Sequence, residues 1–213
     1  MSCLATTPAN AAESATSAVR VIDGDTIEIN QTTYRLHGID APEAGQTCAN
    51  NKGGRWKCGK DAIAALEELV IGHEVTCDNR GLDDYDRVIA VCIADGVDLN
   101  AQMVSQGLAW AFIKYSSDYL PQEQFARASQ LGVFVVDTET PWNYRAQRWM
   151  IAAQKAPEGC PIKGNISENG KIYHMPWSPW YDRTSVKTAK GERWFCDEAE
   201  ARAAGWRAPY WGR

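Results

Sequence analysis

Apolar residues at Val19, Val21, Ile27 and Ile29 alternate with polar neighbours, and the alternation is interrupted at Asp23-Gly24. An Asp-Gly pair between two alternating runs predicts a β-hairpin. "TTYRLHGI" predicts a third strand, followed by a Gly/Asn-rich loop over residues 44–59 with Cys48 and Cys58 at its two ends. "KDAIAALEELVIG" sets Ala62, Ile63, Leu66, Leu69 and Val70 at helical spacing, with Gly72 as a stop. "HEVTCD" and "DRVIAVCIADG" predict strands four and five. Paired antiparallel with Cys77 opposite Cys92, they turn between residues 84 and 85, inside the polar "LDDYD". Two further helices are predicted, "VDLNAQMVSQG" ending at Gly107 and "YLPQEQFARASQLG" with Pro121 near its first turn. "TPWNYRAQRWM" closes this region.

Five short strands with helices between and after them predict an α+β, mainly β, architecture. The expected form is a five-stranded Greek-key barrel of the OB type with about three helices, over residues 18–150. From about residue 158 the composition changes. Five of the nine tryptophans (Trp177, Trp180, Trp194, Trp206 and Trp211) fall in the last stretch, which predicts a small second unit over residues 158–213. A unit this small buries little core, so a Cys160–Cys196 staple is expected, and the tryptophans are expected to form its core. Residues 1–17 are small and polar, with "ANAA" resembling the end of an export signal, and are expected to be flexible or the remnant of such a signal, leaving Cys3 outside the folded part.

The 213 residues are 45% hydrophobic and 23% charged, which places the chain among globular proteins. A net charge of −5 argues against binding of nucleic acid by bulk charge alone. Residues 1–150 hold 12 Lys and Arg against 20 Asp and Glu, whereas residues 151–213 hold 10 against 7. Seven cysteines without a CxxC pair argue against a zinc ribbon and fit three disulfides in an oxidising compartment, periplasmic or secreted; buried free thiols are the alternative. No apolar run reaches membrane-spanning length.

"YRLHGIDAPE" carries the candidate chemistry: Arg35, Asp40 and Glu43 sit in one short, half-apolar stretch around a proline turn. Taken alone, Asp23-Gly24-Asp25-Thr26 is a turn. With Asp40 at the end of a neighbouring strand, however, Asp25 and Asp40 can meet at one rim of the barrel. Two carboxylates and a backbone carbonyl suit a hard cation such as Ca²⁺. Arg35 and Asp40 are five apart, so a regular strand would point them to opposite faces; both reach one site only if the strand breaks near Gly38. Glu43 is then placed to activate water, and Arg35 and Arg87 to hold phosphate oxygens with paired donors.

"VIDGDTI", "YRLHGIDAPE" and "DDYDRVIAVCIADG", in this order and spacing, resemble the staphylococcal nuclease (thermonuclease-like) family over roughly residues 18–140. The resemblance implies an OB barrel and hydrolysis of DNA and RNA regardless of sugar, leaving 3′-phosphates. It implies Asp25, Asp40 and the carbonyl of Ala41 as Ca²⁺ ligands, Glu43, Arg35 and Arg87 as catalytic residues, and Tyr85 and Tyr115 as nucleotide contacts. Ala41 stands where well-studied members have Thr, a change a carbonyl ligand survives. Asp86 stands where Gly is usual, and its carboxylate could pair with Arg87 or weaken phosphate binding. The tail resembles small modules appended to bacterial nuclease-like proteins. Ser178 stands where those modules place a cysteine after the histidine, so His174 is expected to be packed rather than a zinc ligand.

Three functions follow. The first is an exported bacterial, Ca²⁺-dependent nuclease, monomeric and preferring single strands. The second is a non-catalytic OB-type module binding nucleic acid or an anionic polysaccharide in the cell envelope, and the third a purely structural envelope protein.

Overall fold

The computed structural model describes residues 19–209; Cys3, the export-signal reading and Trp211 lie outside the described residues. β1 (Val19–Asp23), β2 (Thr26–Ile29) and β3 (Thr32–Leu36) form an antiparallel meander with Val21 opposite Ile27 and Thr26 opposite Arg35. The chain continues through β4 (Ile39–Asp40) and a small ladder of β5 (Cys48–Ala49) with β6 (Arg55–Trp56) into α1 (Cys58–Val70). β7 (Val75–Leu82) and β8 (Val88–Ala94) form the second hairpin, and β9 (Val97–Asp98) adds to β8. α2 (Leu99–Ser105), β10 (Trp110–Ala111), α3 (Leu120–Ala128) and α4 (Pro141–Ala153) follow. The main sheet runs β1-β2-β3-β8-β7, with β3 and β8 parallel and the other pairs antiparallel. This is the α+β, mainly β, OB-type architecture that the hydrophobic pattern predicts.

Val21, Ile27, Leu36, Ala90 and Cys92 turn inward from the strands against Ala62 and Leu66 of α1 and Leu99, Met103 and Val104 of α2. Each fully buried Val, Leu, Ile or Met side chain among them contributes about 1.5–3 kcal/mol of transfer free energy. Cys77 faces Cys92 in register and the two are bonded, as the pairing of strands four and five requires. A bulge between Asn79 and Gly81 shifts the register, so Leu82 pairs with Val88 and the turn centres on Tyr85, half a residue beyond its predicted place.

The break in the third strand is real. β3 ends at Leu36, Gly38 takes φ +69°, and β4 leaves the main sheet to pair with β10, Asp40 opposite Trp110. A Cβ at Gly38 would stand 3.2 Å from Ser116 Cβ and 3.2 Å from the Tyr119 ring, so both the left-handed backbone and the space call for glycine.

The described residues hold two helices beyond the three predicted. α4 buries only Pro141 and Ala152 fully. Its aromatic residues Trp142, Tyr144 and Trp149 make no single apolar stripe, so periodicity does not announce it. The other is α5 (Glu198–Ala203), in the C-terminal segment, where β11 (Ile162–Ser167) lies between β12 (Gly170–His174) and β13 (Arg193–Phe195). Ile162, Tyr173, Phe195, Ala201 and Trp206 form a separate apolar cluster there. His174 is buried, with Nε2 2.9 Å from Asn165 Oδ1 and Nδ1 3.4 Å from Ser178 Oγ. Burial, aided by the Lys163 charge, pulls its pKa down to about 4.

The cysteines pair as Cys48–Cys58, Cys77–Cys92 and Cys160–Cys196. The last closes a loop with a sequence separation of 36 around the small C-terminal cluster. Replacing both its cysteines by serine is expected to destabilise this segment by about 2–5 kcal/mol. Urea unfolding followed by tryptophan fluorescence should show an early transition that wild type lacks; coincident curves would mean that the cluster holds without the staple. No helix among the described residues is long and apolar enough to cross a membrane.

Candidate active site

The β1–β2 turn, the β3–β4 break and the loop after β4 bring four carboxylates to one rim of the barrel. Asp25 and Asp40 are buried, Glu43 is 8% exposed, and Asp23 is partly buried. Asp25 Oδ1 accepts the Thr26 hydroxyl at 3.0 Å, and Oδ2 accepts the Ala41 backbone N–H at 2.9 Å, which ties the hairpin turn to β4. Arg35 faces the same point from β3: Nη1 lies 2.8 Å from Asp25 Oδ2, and Nη2 lies 2.8 Å from Asp40 Oδ1. Parity alone would have sent Arg35 and Asp40 apart; the break at Gly38 brings them together.

Glu43 is held by its backbone. Its N–H donates to Gln46 Oε1 at 3.1 Å, and the buried Gln46 amide donates to the Glu139 carbonyl at 2.8 Å. Gly59 in the first turn of α1 packs against the same segment so closely that a Cβ would lie 1.8 Å from the Glu43 carbonyl oxygen. The Cys48–Cys58 bond fixes this loop to the start of α1.

A cation that the sequence pattern does not flag completes the cluster. Arg145 of α4 donates from Nη1 to Asp40 Oδ1 at 3.1 Å and to Glu43 Oε1 at 2.7 Å, and from Nη2 to Asp40 Oδ2 at 2.8 Å. It lies in a helix without an apolar stripe, 102 residues from Glu43, and nothing local marks it. Asp23 is the second addition: the sequence places it in a turn, and the structure places it electrostatically against Glu43 and Asp25.

Four carboxylates face two guanidiniums in a buried cluster, and burial, ahead of carboxylate repulsion, raises the proton affinity of Asp23, Asp40 and Glu43. Burial, then Glu43 and Asp25, push the Asp23 carboxyl well above its usual range. Burial also raises Asp40, with Arg35 and Arg145 opposing and Asp25 assisting. Glu43 rises to about 7, by burial first, against the pull of Arg145 and with help from Asp40 and Asp25.

Arg87 and Tyr85 sit further along the same cleft. Arg87 Nε donates to Asp83 Oδ2 at 2.6 Å, and its guanidinium lies 5.4 Å from the Tyr85 ring centre. Burial works against the Arg87 charge, but Asp83 outweighs it and holds the guanidinium firmly protonated. The partner of Arg87 is therefore Asp83. Asp86 is exposed at φ +59°, a backbone state that glycine enters freely and Asp tolerates, with its N–H donating to the Asp83 carbonyl at 3.2 Å. Tyr115 is 67% exposed at the cleft edge, packed against Phe112.

One cavity of about 910 Å³ joins these groups. Asp25, Arg35, Glu43, Tyr85, Arg87 and Arg145 line one side, and Met175, Trp177, Glu198 and Arg202 of the C-terminal segment line the other. Arg148 of α4 ties the two together, donating to the Pro176 carbonyl at 3.1 Å and reaching Asp182 at 3.2 Å.

The donors at the rim are all carboxylate oxygens, the chemistry a hard divalent cation takes, and their mutual repulsion is what such an ion relieves. Among the described residues, no three His, Cys, Asp or Glu side chains are gathered as a ready metal cage; the Arg145 guanidinium stands between Asp40 and Glu43. The donor set thus fits a cation, while the present arrangement is closed by Arg145.

An OB-type barrel with carboxylates and arginines converging at one rim defines the class of the staphylococcal-type nucleases. Residues 33–134 match the family described as "Staphylococcal nuclease homologue", and residues 146–208 match one described as "ArfC". Relatives include "Succinoglycan biosynthesis protein ExoI" of Rhizobium meliloti, 34% identical over 64% of this chain and 73% of its own length. An "Uncharacterized endonuclease" of Escherichia coli is 36% identical over 61% and 84%, and "Micrococcal nuclease" of Shigella flexneri is 32% identical over 60% and 78%. The chain belongs to the staphylococcal nuclease-like family.

Proposed function

We propose that the chain is an exported, monomeric, Ca²⁺-dependent endonuclease that hydrolyses DNA and RNA regardless of sugar, leaving 3′-phosphates. The convergence of Asp25, Arg35 and Glu43 in the cleft that also holds Arg87, with Asp40 buried against Arg35, carries this reading. Asp25, Asp40 and the Ala41 carbonyl would hold the ion, which when bound neutralises charge on a phosphate oxygen and favours ionisation of water. Glu43, whose burial lifts its proton affinity toward neutrality, takes the proton of the attacking water. Arg35 and Arg87 grip the non-bridging oxygens with paired donors and stabilise the added charge as the P–O5′ bond breaks. Asp83 aims Arg87, and the faces of Tyr85 and Tyr115 suit a base or sugar at the cleft edge.

The cleft also supports a preference for single strands. A space of about 910 Å³, lined by Met175 and Trp177 beside Tyr85 and Tyr115, offers aromatic faces on which unpaired bases can stack. The reading carries with it a nuclease barrel over residues 18–150 and a C-terminal module over 158–213 that supplies Met175 and Trp177.

One observation favours the alternative of a non-catalytic OB-type binding module: Arg145 occupies both Asp40 and Glu43. Cleavage of heat-denatured DNA with Ca²⁺ or a chelator, wild type beside Asp40→Asn/Glu43→Gln, separates the two. Calcium-dependent cutting that the double variant loses is expected. Correctly folded wild type that never cuts would leave the binding module.

A further inference from the structure

We propose that Arg145 is an exchangeable occupant of the cation site, holding Asp40 and Glu43 until a divalent ion displaces it. The inference rests on the reading of Asp25 and Asp40 as cation ligands. Both oxygens of Asp40 are engaged by guanidinium N–H groups, Oδ1 by Arg35 and Arg145 and Oδ2 by Arg145 alone. A hard cation binds these same oxygens at about 2.3–2.6 Å, in the space the guanidinium fills. An ion on Asp40 would then stand within a few ångströms of a full positive charge in a poorly solvated pocket, where repulsion is strong. Arg145 and the ion therefore exclude each other from Asp40. Arg35 feels the same repulsion but engages only Oδ1 of Asp40, whereas Arg145 engages both oxygens, so it is the departure of Arg145 that opens Oδ2 to the ion.

The geometry also permits the exchange. The Arg145 side chain is 26% exposed and lines the open cleft, so it has somewhere to go. Its neighbours Ala146 and Gln147 are exposed, and α4 buries only its two ends, at Pro141 and Ala152. Charge favours the exchange too. A divalent ion carries one more positive charge than the guanidinium it replaces, and it would sit among four clustered carboxylates. The freed side chain remains in the cleft where the phosphate of a substrate would lie, so an anion there draws it outward and assists the swap.

Calcium binding to the full chain, measured by titration calorimetry without nucleic acid, tests this directly. Arg145→Ala is expected to bind Ca²⁺ about tenfold or more tightly than wild type, since the ion no longer competes with a bound charge. The variant should melt at a lower temperature than wild type in chelator and gain more from added Ca²⁺. Asp40→Asn should abolish binding in both backgrounds. If Arg145→Ala does not keep its circular dichroism spectrum, Arg145→Gln takes its place in the same comparison. Equal or weaker binding by the variant, beside measurable binding by wild type, overturns the exchange and leaves the cation site intact. Absence of binding by wild type and variant alike overturns the cation reading, and the exchange with it.

Discussion

Glu43→Gln is expected to slow DNA cleavage by about 10²–10⁴-fold, the range for loss of a positioned general base, and at the same time to raise the melting temperature at pH 8. The two effects have one cause. Burial disfavours the ionised carboxylate more than Arg145 favours it, so the folded protein holds the Glu43 proton up to about pH 7, against an ordinary value of 4.5. The folded state therefore binds more protons than the unfolded chain between these values. The stability contributed by that proton is complete below about 4.5 and is lost as pH rises through about 7. Glutamine keeps the shape and cannot ionise. Its melting temperature should exceed that of wild type by roughly 3–5 °C at pH 8, with the difference vanishing toward pH 4. Paired thermal melts across pH, beside initial cleavage rates, check both halves. A variant that cuts like wild type would place the proton acceptor elsewhere; a variant less stable at pH 8 would mean that the Arg145 pair outweighs the burial cost.

Arg35→Lys is expected to cost about 10²–10³-fold in cleavage, comparable to the loss of a well-placed transition-state donor. The guanidinium reaches Asp25 and Asp40 at once, 2.8 Å to each, because its nitrogens are held in a rigid fork. One ammonium cannot span both carboxylates and also present two parallel donors to a phosphate. The charge is kept, so the fold should survive with a shift of only a few degrees, and the loss should fall mainly on kcat. Steady-state kinetics on a short fluorogenic oligonucleotide would show it. An unchanged kcat with raised KM would make Arg35 a ground-state binding residue instead.

The parts of this molecule written in local pattern were legible in the sequence. The Asp23-Gly24 hairpin, the helix expected from Lys60 and found to start at Cys58, and the facing of Cys77 and Cys92 each follow from alternation, helical spacing or register. The meeting of Arg35 with Asp40 could be read as well, because Gly38 and Pro42 signal a break and parity shows what the break must do. Arg145 could not be read this way. It reaches the site through the docking of a helix whose exposed side carries Met150 and Ile151, so the apolar pattern does not single out its packed face. Asp83 was overlooked for a related reason: Asp86 adjoins Arg87 in sequence, but its left-handed backbone leaves it exposed while Asp83 bonds to the guanidinium.

The long sequence separation of Arg145 also bears on the order of folding. β4 lies within the apolar cluster of the barrel, so Asp40 is drawn inside as soon as Ile39 is. Its counter-ion Arg35 is only five residues away, whereas Arg145 is 105 residues further along the chain. Contacts at that separation carry a larger loop-closure cost and form late, and in a chain made from its N-terminus Arg145 emerges after every strand of the main sheet. The barrel thus closes around carboxylates whose second cation arrives only with α4, whose docking sets Arg145 on Asp40 and Trp142 on Trp110 and Phe112 together.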